Sequence, residues 1–331
     1  MPFPSTGQVA ELLRPAGIHG PLTLALLKRG NDVYRVDGPD GVVFVKLHTK
    51  DWYADDPSDG AGCVQHEASA YSCLHAHKLP APNVVLALAS KDNPVGRPCL
   101  VTRQLPGKSL TVLLSRADAD ASARLLEAAG DYLRRMHAIT FAYPGYIIEE
   151  SGPTAPPDPE SWQHPCWTAD RARRDALRLL EPDRQQLAPD VVARLETLFQ
   201  GMAEALAPDH DPPHFVHGDC HAHQLSLAGP VGAPRVTGVV DLEVASAGDT
   251  GHDLVKFALE KAALYPGARR WWEPFFAGYG GPPDFELFRL RLLATGDESF
   301  RCFGPDRWSG SRTDSVRRLL DATDWSTLFS L

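Results

Sequence analysis

Two short apolar runs, each ending on an aspartate, constrain this chain more than any other feature. Phe215-Val216 delivers His217-Gly218-Asp219, and Val236 to Val240 delivers Asp241 22 residues later. Short apolar runs bounded by turn residues read as buried strands, so the two carboxylates are expected to leave neighbouring strand ends and converge. Such a pair suits phosphoryl transfer. One aspartate orients and deprotonates an attacking hydroxyl while the other holds a divalent cation against phosphates, because that transition state needs positioning and charge neutralisation more than covalent chemistry. His217 is expected to pack and hydrogen-bond, holding the loop rather than moving protons. Cys220, His221 and His223 are residue types that zinc accepts, which keeps a metallohydrolase as an alternative, but a second ligand group at finger spacing is missing from the sequence.

The N-terminal third reads as a small antiparallel meander. Leu22 to Lys28 has β character, Arg29-Gly30-Asn31-Asp32 is a turn signal, Val33 to Val36 is short and β-branched or aromatic, and Val42 to Leu47 follows the Gly38-Pro39-Asp40-Gly41 turn. Lys46 sits inside Val42-Val43-Phe44-Val45-Lys46-Leu47, where a charge is expensive without a partner. Glu67, in a segment running to about His77, shares helical spacing with Ala70, Tyr71 and Leu74 and supplies that partner. Thr49 to Gly62 between them is polar and rich in Asp and Gly, which predicts a loop. Leu79-Pro80-Ala81-Pro82 stops the helix, and Cys99 to Arg103 is an apolar strand running into Gln104-Leu105-Pro106-Gly107.

The remainder reads mainly helical. Leu125, Leu126, Ala129, Leu133, Met136 and His137 make a stripe over Ser122 to Ile139, and Val191, Leu195, Leu198, Met202 and Leu206 another over Pro189 to Leu206. Both stripes are core. Another helix opens at His252-Asp253, where a carboxylate near the N-terminus is favourable and Asp253 is expected to be structural. A final helix and tail run from Arg312 to Leu331.

Taken together, His217-Gly218-Asp219, Gln224, the strand ending Asp241-Leu242-Glu243, and Gly248-Asp249 resemble the aminoglycoside phosphotransferase family, whose fold is protein-kinase-like. The resemblance implies an α+β protein of two lobes, a small antiparallel-sheet N-lobe over residues 1–104 and a larger, mainly helical C-lobe over 107–331, with a hinge at about 102–107. It further implies Asp219 as base, Gln224 and Asp241 as holders of Mg²⁺, and Lys46, oriented by Glu67, on the phosphates of ATP or GTP. The Gly30-Asn31 turn would lie over those phosphates, and Gln104 and Leu105 would meet the base. One residue departs from the family pattern: Gln224 stands where Asn is usual. Gln carries the same oxygen one methylene further out, and a misplacement of about 1 Å can cost roughly a hundredfold in rate. Either the loop compensates or activity is weakened, which leaves a nucleotide-binding pseudokinase as an alternative.

Charge and composition narrow the partners. A net charge of −9 without a basic stripe argues against nucleic acid, and no segment reaches the roughly 18 uninterrupted apolar residues of a membrane helix. With no signal peptide and six cysteines without framework spacing, a cytoplasmic protein with reduced thiols is expected; Cys220, beside Asp219, is the thiol to test by alkylation. The expected acceptor is a cationic small molecule, an aminoglycoside or basic peptide antibiotic drawn to carboxylates. Asp158, Glu160, Asp170, Asp284, Glu286, Asp297 and Glu298 are the candidate carboxylates, and the Pro- and Gly-rich stretch from Tyr143 to Pro165 adjoins them. A metabolite kinase acting on an amino sugar, a choline-like amine, a fructosamine or homoserine is the other reading.

Overall fold

The computed structural model describes residues 4–48, 61–154, 177, 180–181, 184–185, 187–201, 212–230, 232–264, 270–294 and 312–329. Helix α1 (Thr6–Leu13) opens on a capping box in which Ser5 and Gln8 each accept the other's backbone N–H. Strands β1 (Thr23–Lys28), β2 (Asp32–Gly38) and β3 (Gly41–Leu47) form the expected meander. Helix α2 (Ala61–Ala76), then β4 (Val84–Leu88) and β5 (Cys99–Arg103), complete an antiparallel five-stranded sheet of order β1-β2-β3-β5-β4. Val43, Val45 and Leu47 of β3 join Val9, Leu12 and Leu13 of α1 in a core on the outer face. The two-residue period of a strand puts Lys46 on the opposite face, where α2 packs.

Past the sheet come β6 (Lys108–Ser109), α3 (Leu110–Leu114), α4 (Ala119–His137), β7 (Gly145–Tyr146), α5 (Pro189–Gln200), β8 (His214–Val216), β9 (Leu225–Ala228), β10 (Arg235–Val239) and β11 (Ser246–Gly248). Among the described residues five helices follow: α6 (Gly251–Leu264), α7 (Trp272–Tyr279), α8 (Phe285–Ala294), α9 (Arg312–Asp321) and α10 (Trp325–Phe329). The expected stripe of α4 is buried throughout. Helices α4 and α7 touch backbone to backbone, since a Cβ on Gly130 would lie 2.0 Å from the Phe275 carbonyl oxygen and one on Gly278 2.0 Å from that of Glu127.

Several expectations are corrected here. The strands that deliver the two aspartates are not neighbours: β8 belongs to the sheet β7-β11-β8 and β10 to the sheet β10-β9-β6. Loop hydrogen bonds rather than a shared ladder bring their ends together. The segment after Arg312 is two helices rather than one, with Asp324 capping the second through the Thr327 N–H. Gly62 belongs to α2, while residues 49–60 of the expected loop, and Met202 and Leu206 of the second stripe, lie outside the described residues.

Candidate active site

Lys46 is the centre of an ion cluster on the face of the sheet that α2 covers. Its Nζ lies 2.9 Å from Glu67 Oε2, 2.5 Å from Asp241 Oδ1 and 2.8 Å from Glu243 Oε2. Burial opposes the charge on Lys46, but the three carboxylates outweigh it and hold the ammonium well above its ordinary pKa. Burial likewise works against ionised Glu67, and Lys46 overcomes it, keeping the carboxyl below the usual range. Tyr71, one turn along α2 from Glu67, donates its hydroxyl to Glu67 Oε1 at 3.1 Å and accepts the Asp241 N–H at 3.0 Å. Helix α2 therefore fixes both ends of the pair. Asp241 has φ 68°, a left-handed conformation that is uncommon for a residue other than glycine and that concentrates at functional sites.

The β1–β2 turn reaches into the same cluster. Gly30 has φ 105°, and Asn31 Nδ2 donates to Glu243 Oε2 at 2.6 Å. Lys28 approaches Asp241 Oδ2 at 3.5 Å. Just past the end of β5, the Gln104 N–H donates to the Val42 carbonyl of β3 at 3.1 Å. That amide is therefore taken up by the sheet. Leu105 packs on Gly238, where a Cβ would meet its methyls at 2.8 Å, and Thr237 donates its hydroxyl to the Pro106 carbonyl at 2.6 Å.

The loop that carries Asp219 hangs from α6. Buried Asp253 accepts the backbone N–H groups of His217 at 2.7 Å and Gly218 at 2.9 Å, and lies 3.1 Å from His137 Nε2. Burial opposes its ionisation; the hydrogen bond from His137 leads the contacts that overcome this, and its carboxyl stays low. His217 is fully buried, with Nε2 3.0 Å from the Val240 carbonyl and Nδ1 accepting the Asp219 N–H at 3.3 Å. The ring is therefore held between two backbone groups of the loop and the strand end. Gly218 has φ 83°, and a Cβ there would stand 2.5 Å from the Val244 carbonyl oxygen, so only glycine fits between His217 and Asp219. Asp219 itself is 43% exposed, with His221 Nε2 at 2.9 Å and Lys256 Nζ at 3.5 Å from its Oδ1. Burial works against its charge, but His221 first and then Lys256 hold the carboxyl well below the usual range.

The remaining expected residues fall as follows. Gln224 is 2% exposed, and its Oε1 accepts the His221 N–H at 2.7 Å; its carbonyl oxygen is directed at the loop backbone, where it braces the turn. Glu243, which sequence reading did not assign, stands beside Asp241 with its carboxylate partly exposed. Asp241 and Glu243 together offer the hard oxygen ligands that Mg²⁺ takes in company with phosphate oxygens. Asp284 caps α8 through the Leu287 N–H at 2.8 Å, and Glu286 pairs with Arg289, so these two acceptor candidates have local helical duties. Asp158, Glu160, Asp170, Asp297 and Glu298 lie outside the described residues. The zinc alternative finds no support: the His221 and His223 rings stack at 5.4 Å, and Cys220 is fully buried. Asp253 is structural as expected, but its partners, amides 36 and 35 residues back in the chain, are not readable from sequence.

A strand lysine paired to a helical glutamate, facing one aspartate across the sheet edge and a second on a glycine-tensioned loop, is the arrangement of a kinase-like O-phosphotransferase. The chain belongs to the APH phosphotransferase enzyme family, whose model matches residues 23–293. No curated protein matches. Among solved structures, the GDP and kanamycin complex of APH(2'')-IIIa is similar at 16% identity with a TM-score of 0.61, covering 96% of this chain and 98% of that one. The streptomycin-ATP ternary complex of APH(2'')-IIa is similar at 16% identity and TM-score 0.57, covering 99% of each chain. Aminoglycoside phosphotransferase APH(3'')-Id from Streptomyces rimosus is similar at 17% identity and TM-score 0.55, covering 88% of this chain and 97% of that one. At such identities the likeness is one of fold. Among the described residues no helix is long and apolar enough to cross a membrane.

Proposed function

We propose that this protein transfers the γ-phosphoryl group of ATP or GTP to a hydroxyl of a cationic small molecule, an aminoglycoside or basic peptide antibiotic, in the cytoplasm. The observation that carries the reading is the meeting of Lys46 with Glu67 and Asp241, while Asp219 stands on its own loop with a part-exposed carboxylate. The solved relatives that bind GDP with kanamycin, and ATP with streptomycin, support the nucleotide and the acceptor class, and the net charge of −9 suits a cationic acceptor.

In this reading residues 1–104 form the nucleotide lobe, with the hinge at about 102–107, and residues 107–331 carry the acceptor. Lys46, oriented by Glu67 and Tyr71, anchors the phosphates beneath the Gly30-Asn31 turn, and Gln104 and Leu105 meet the base. Asp219 accepts the proton of the attacking hydroxyl as the new O–P bond forms and the bond to the leaving diphosphate breaks. Asp241 and Glu243 hold Mg²⁺, and Gln224 keeps the loop in shape. When bound, Mg²⁺ supplies charge neutralisation on the transferring group.

The test is ADP or GDP release, with Mg²⁺ and each nucleotide, against a pooled panel of aminoglycosides, basic peptide antibiotics and amino sugars. Asp219→Ala is expected to lower acceptor-dependent turnover about 10²–10⁴-fold, the usual share of a positioned general base, with nucleotide affinity little changed. Full activity in that variant overturns the assignment, and release with only the metabolites would move the acceptor class.

A further inference from the structure

The first two turns of α6 do more than hang the catalytic loop. His252, Asp253 and Lys256 all point at that loop: His252 Nε2 lies 2.8 Å from the Gly218 carbonyl, Asp253 takes the two amides, and Lys256 Nζ reaches Asp219. His252 and Lys256 are four residues apart and share one helical face. Lys256 is only 12% exposed, on a stem that crosses from the helix to the acid.

A lysine beside a general base needs a reason. Asp219 already has His221 at 2.9 Å to set its orientation, whereas Lys256 stands at 3.5 Å, outside the range of a good hydrogen bond. Next to the carboxylate, an ammonium favours the ionised form and so weakens the base. The cost is offset if the same ammonium faces negative charge that must be held during transfer. An acceptor hydroxyl within about 3 Å of Asp219, attacking a phosphorus about 3–3.5 Å further on, puts the phosphoryl oxygens within roughly 6–7 Å of the carboxylate. A cation 3.5 Å from Asp219 Oδ1 is within reach of them.

We infer that Lys256 is a further catalytic residue, the cation that receives the equatorial oxygens of the phosphoryl group as it passes from nucleotide to acceptor hydroxyl. The inference rests on the phosphotransferase reading above. The oxygens carry the charge of the loose transition state, and a fixed cation aimed at them acts only when that state forms. Lys46 and Lys256 then divide the labour, one on the nucleotide side of the cleft and one on the acceptor side.

The experiment compares the wild type with Lys256→Met and Lys256→Arg in the full chain. It measures Mg²⁺-ADP affinity by calorimetry, the gain in that affinity on adding aluminium fluoride as a planar mimic of the transferring phosphoryl group, and turnover with an acceptor or with water. Expected for Lys256→Met are an ADP affinity within about twofold of wild type, loss of most of the fluoride-dependent gain, and turnover down about 10²–10³-fold, as for an oxyanion-stabilising donor; Lys256→Arg should recover part of both. If the Met variant lacks a cooperative melt, Lys256→Gln is read in its place. The role is overturned by a neutral variant that keeps both the fluoride gain and turnover within threefold of wild type. It is equally overturned by one that loses ADP affinity in the same proportion as turnover, or by a wild type in which fluoride adds nothing. A wild type that binds no nucleotide at all removes the phosphotransferase reading itself, and this role with it.

Discussion

Removing the Asp253 carboxylate should dismantle the catalytic loop from behind. In the structure this one side chain accepts the N–H of His217 at 2.7 Å and of Gly218 at 2.9 Å and lies 3.1 Å from His137 Nε2, all in the interior. Asp253→Ala leaves one buried and one part-buried amide, and the His137 ring, without this partner. An unsatisfied buried donor costs about 1–3 kcal/mol, and more where the lost acceptor was charged. The contributions overlap, because the loop relaxes once for all three, so the total is about 4 kcal/mol. At about 2 °C per kcal/mol for a chain larger than 150–250 residues, the melting temperature should fall by roughly 8 °C. Asp253→Asn keeps one oxygen but turns an NH₂ toward an N–H, and should lose about half as much. Turnover should fall further than stability suggests, since Asp219 is the next residue after Gly218 and a shift of about 1 Å there can cost a hundredfold. Calorimetric melts of the two variants, with turnover measured well below their transitions, test the reasoning. If Asp253→Ala melts within 2 °C of wild type and keeps its activity, the loop is held by something else and the argument fails.

Other outcomes follow from the same geometry. Cys73, Cys99 and Cys220 are buried, and burial pushes the Cys99 thiol up to about 12 and the Cys73 thiol to about 11. All three should resist a thiol reagent in the native protein and react on unfolding; rapid native labelling of Cys220 in a peptide map would contradict its placement. Gln224→Leu should lower the melting temperature, because the His221 N–H loses its acceptor, while leaving the Mg²⁺ requirement of nucleotide binding unmoved. Glu243→Gln should raise that requirement about tenfold in a Mg²⁺ titration, and the reverse pattern would return the metal to Gln224. Burial opposes ionisation of Glu67, Asp219 and Asp253, yet Lys46, His221 and His137 respectively hold each carboxyl below its ordinary value. Their stabilisation is therefore complete above the unfolded carboxylate values near 4 and drains away as pH falls toward the lower folded values. Burial also holds the His66 imidazole down at about 4 and that of His252 below its ordinary value, so melts should begin to fall below about pH 6.5, as the unfolded chain takes up protons, and fall further below about pH 4 as the carboxylates protonate; melts flat from about pH 7 to 5 would contradict the burial of those two rings.

The nucleotide half of the site was legible because its signals are local. Glycine turns punctuate β1 to β3, and a lysine in an apolar strand announces a buried partner, which Glu67 supplies on the next helix. The His217–Asp219 loop was legible as a motif but not as a structure, because what holds it comes from α6, far along the chain and through backbone amides that have no sequence signature. Strands β6 and β9 escaped notice for a different reason: two and four residues long, they are too short to show a period. Helix α1 was missed although Ser5 and Gln8 spell a capping box. What Gln224 does inside its loop was not legible: its Oε1 accepts the His221 N–H three residues back, a contact with no sequence signature.

The ion cluster around Lys46 also sets an order of arrival. Its ion pairs place the carboxylates of Glu67, Asp241 and Glu243 against the ammonium groups of Lys46 and Lys28, leaving an excess of one negative charge. A triphosphate entering bare would meet that excess and compete with the carboxylates for Lys46. Entering with a divalent cation, it brings the carboxylates a substitute counter-ion and frees the lysine for itself. Under the proposed function, nucleotide and metal affinities are linked, each strengthening the other by the same factor, and the site acts as a lock that recognises the neutralised triphosphate rather than the nucleotide alone.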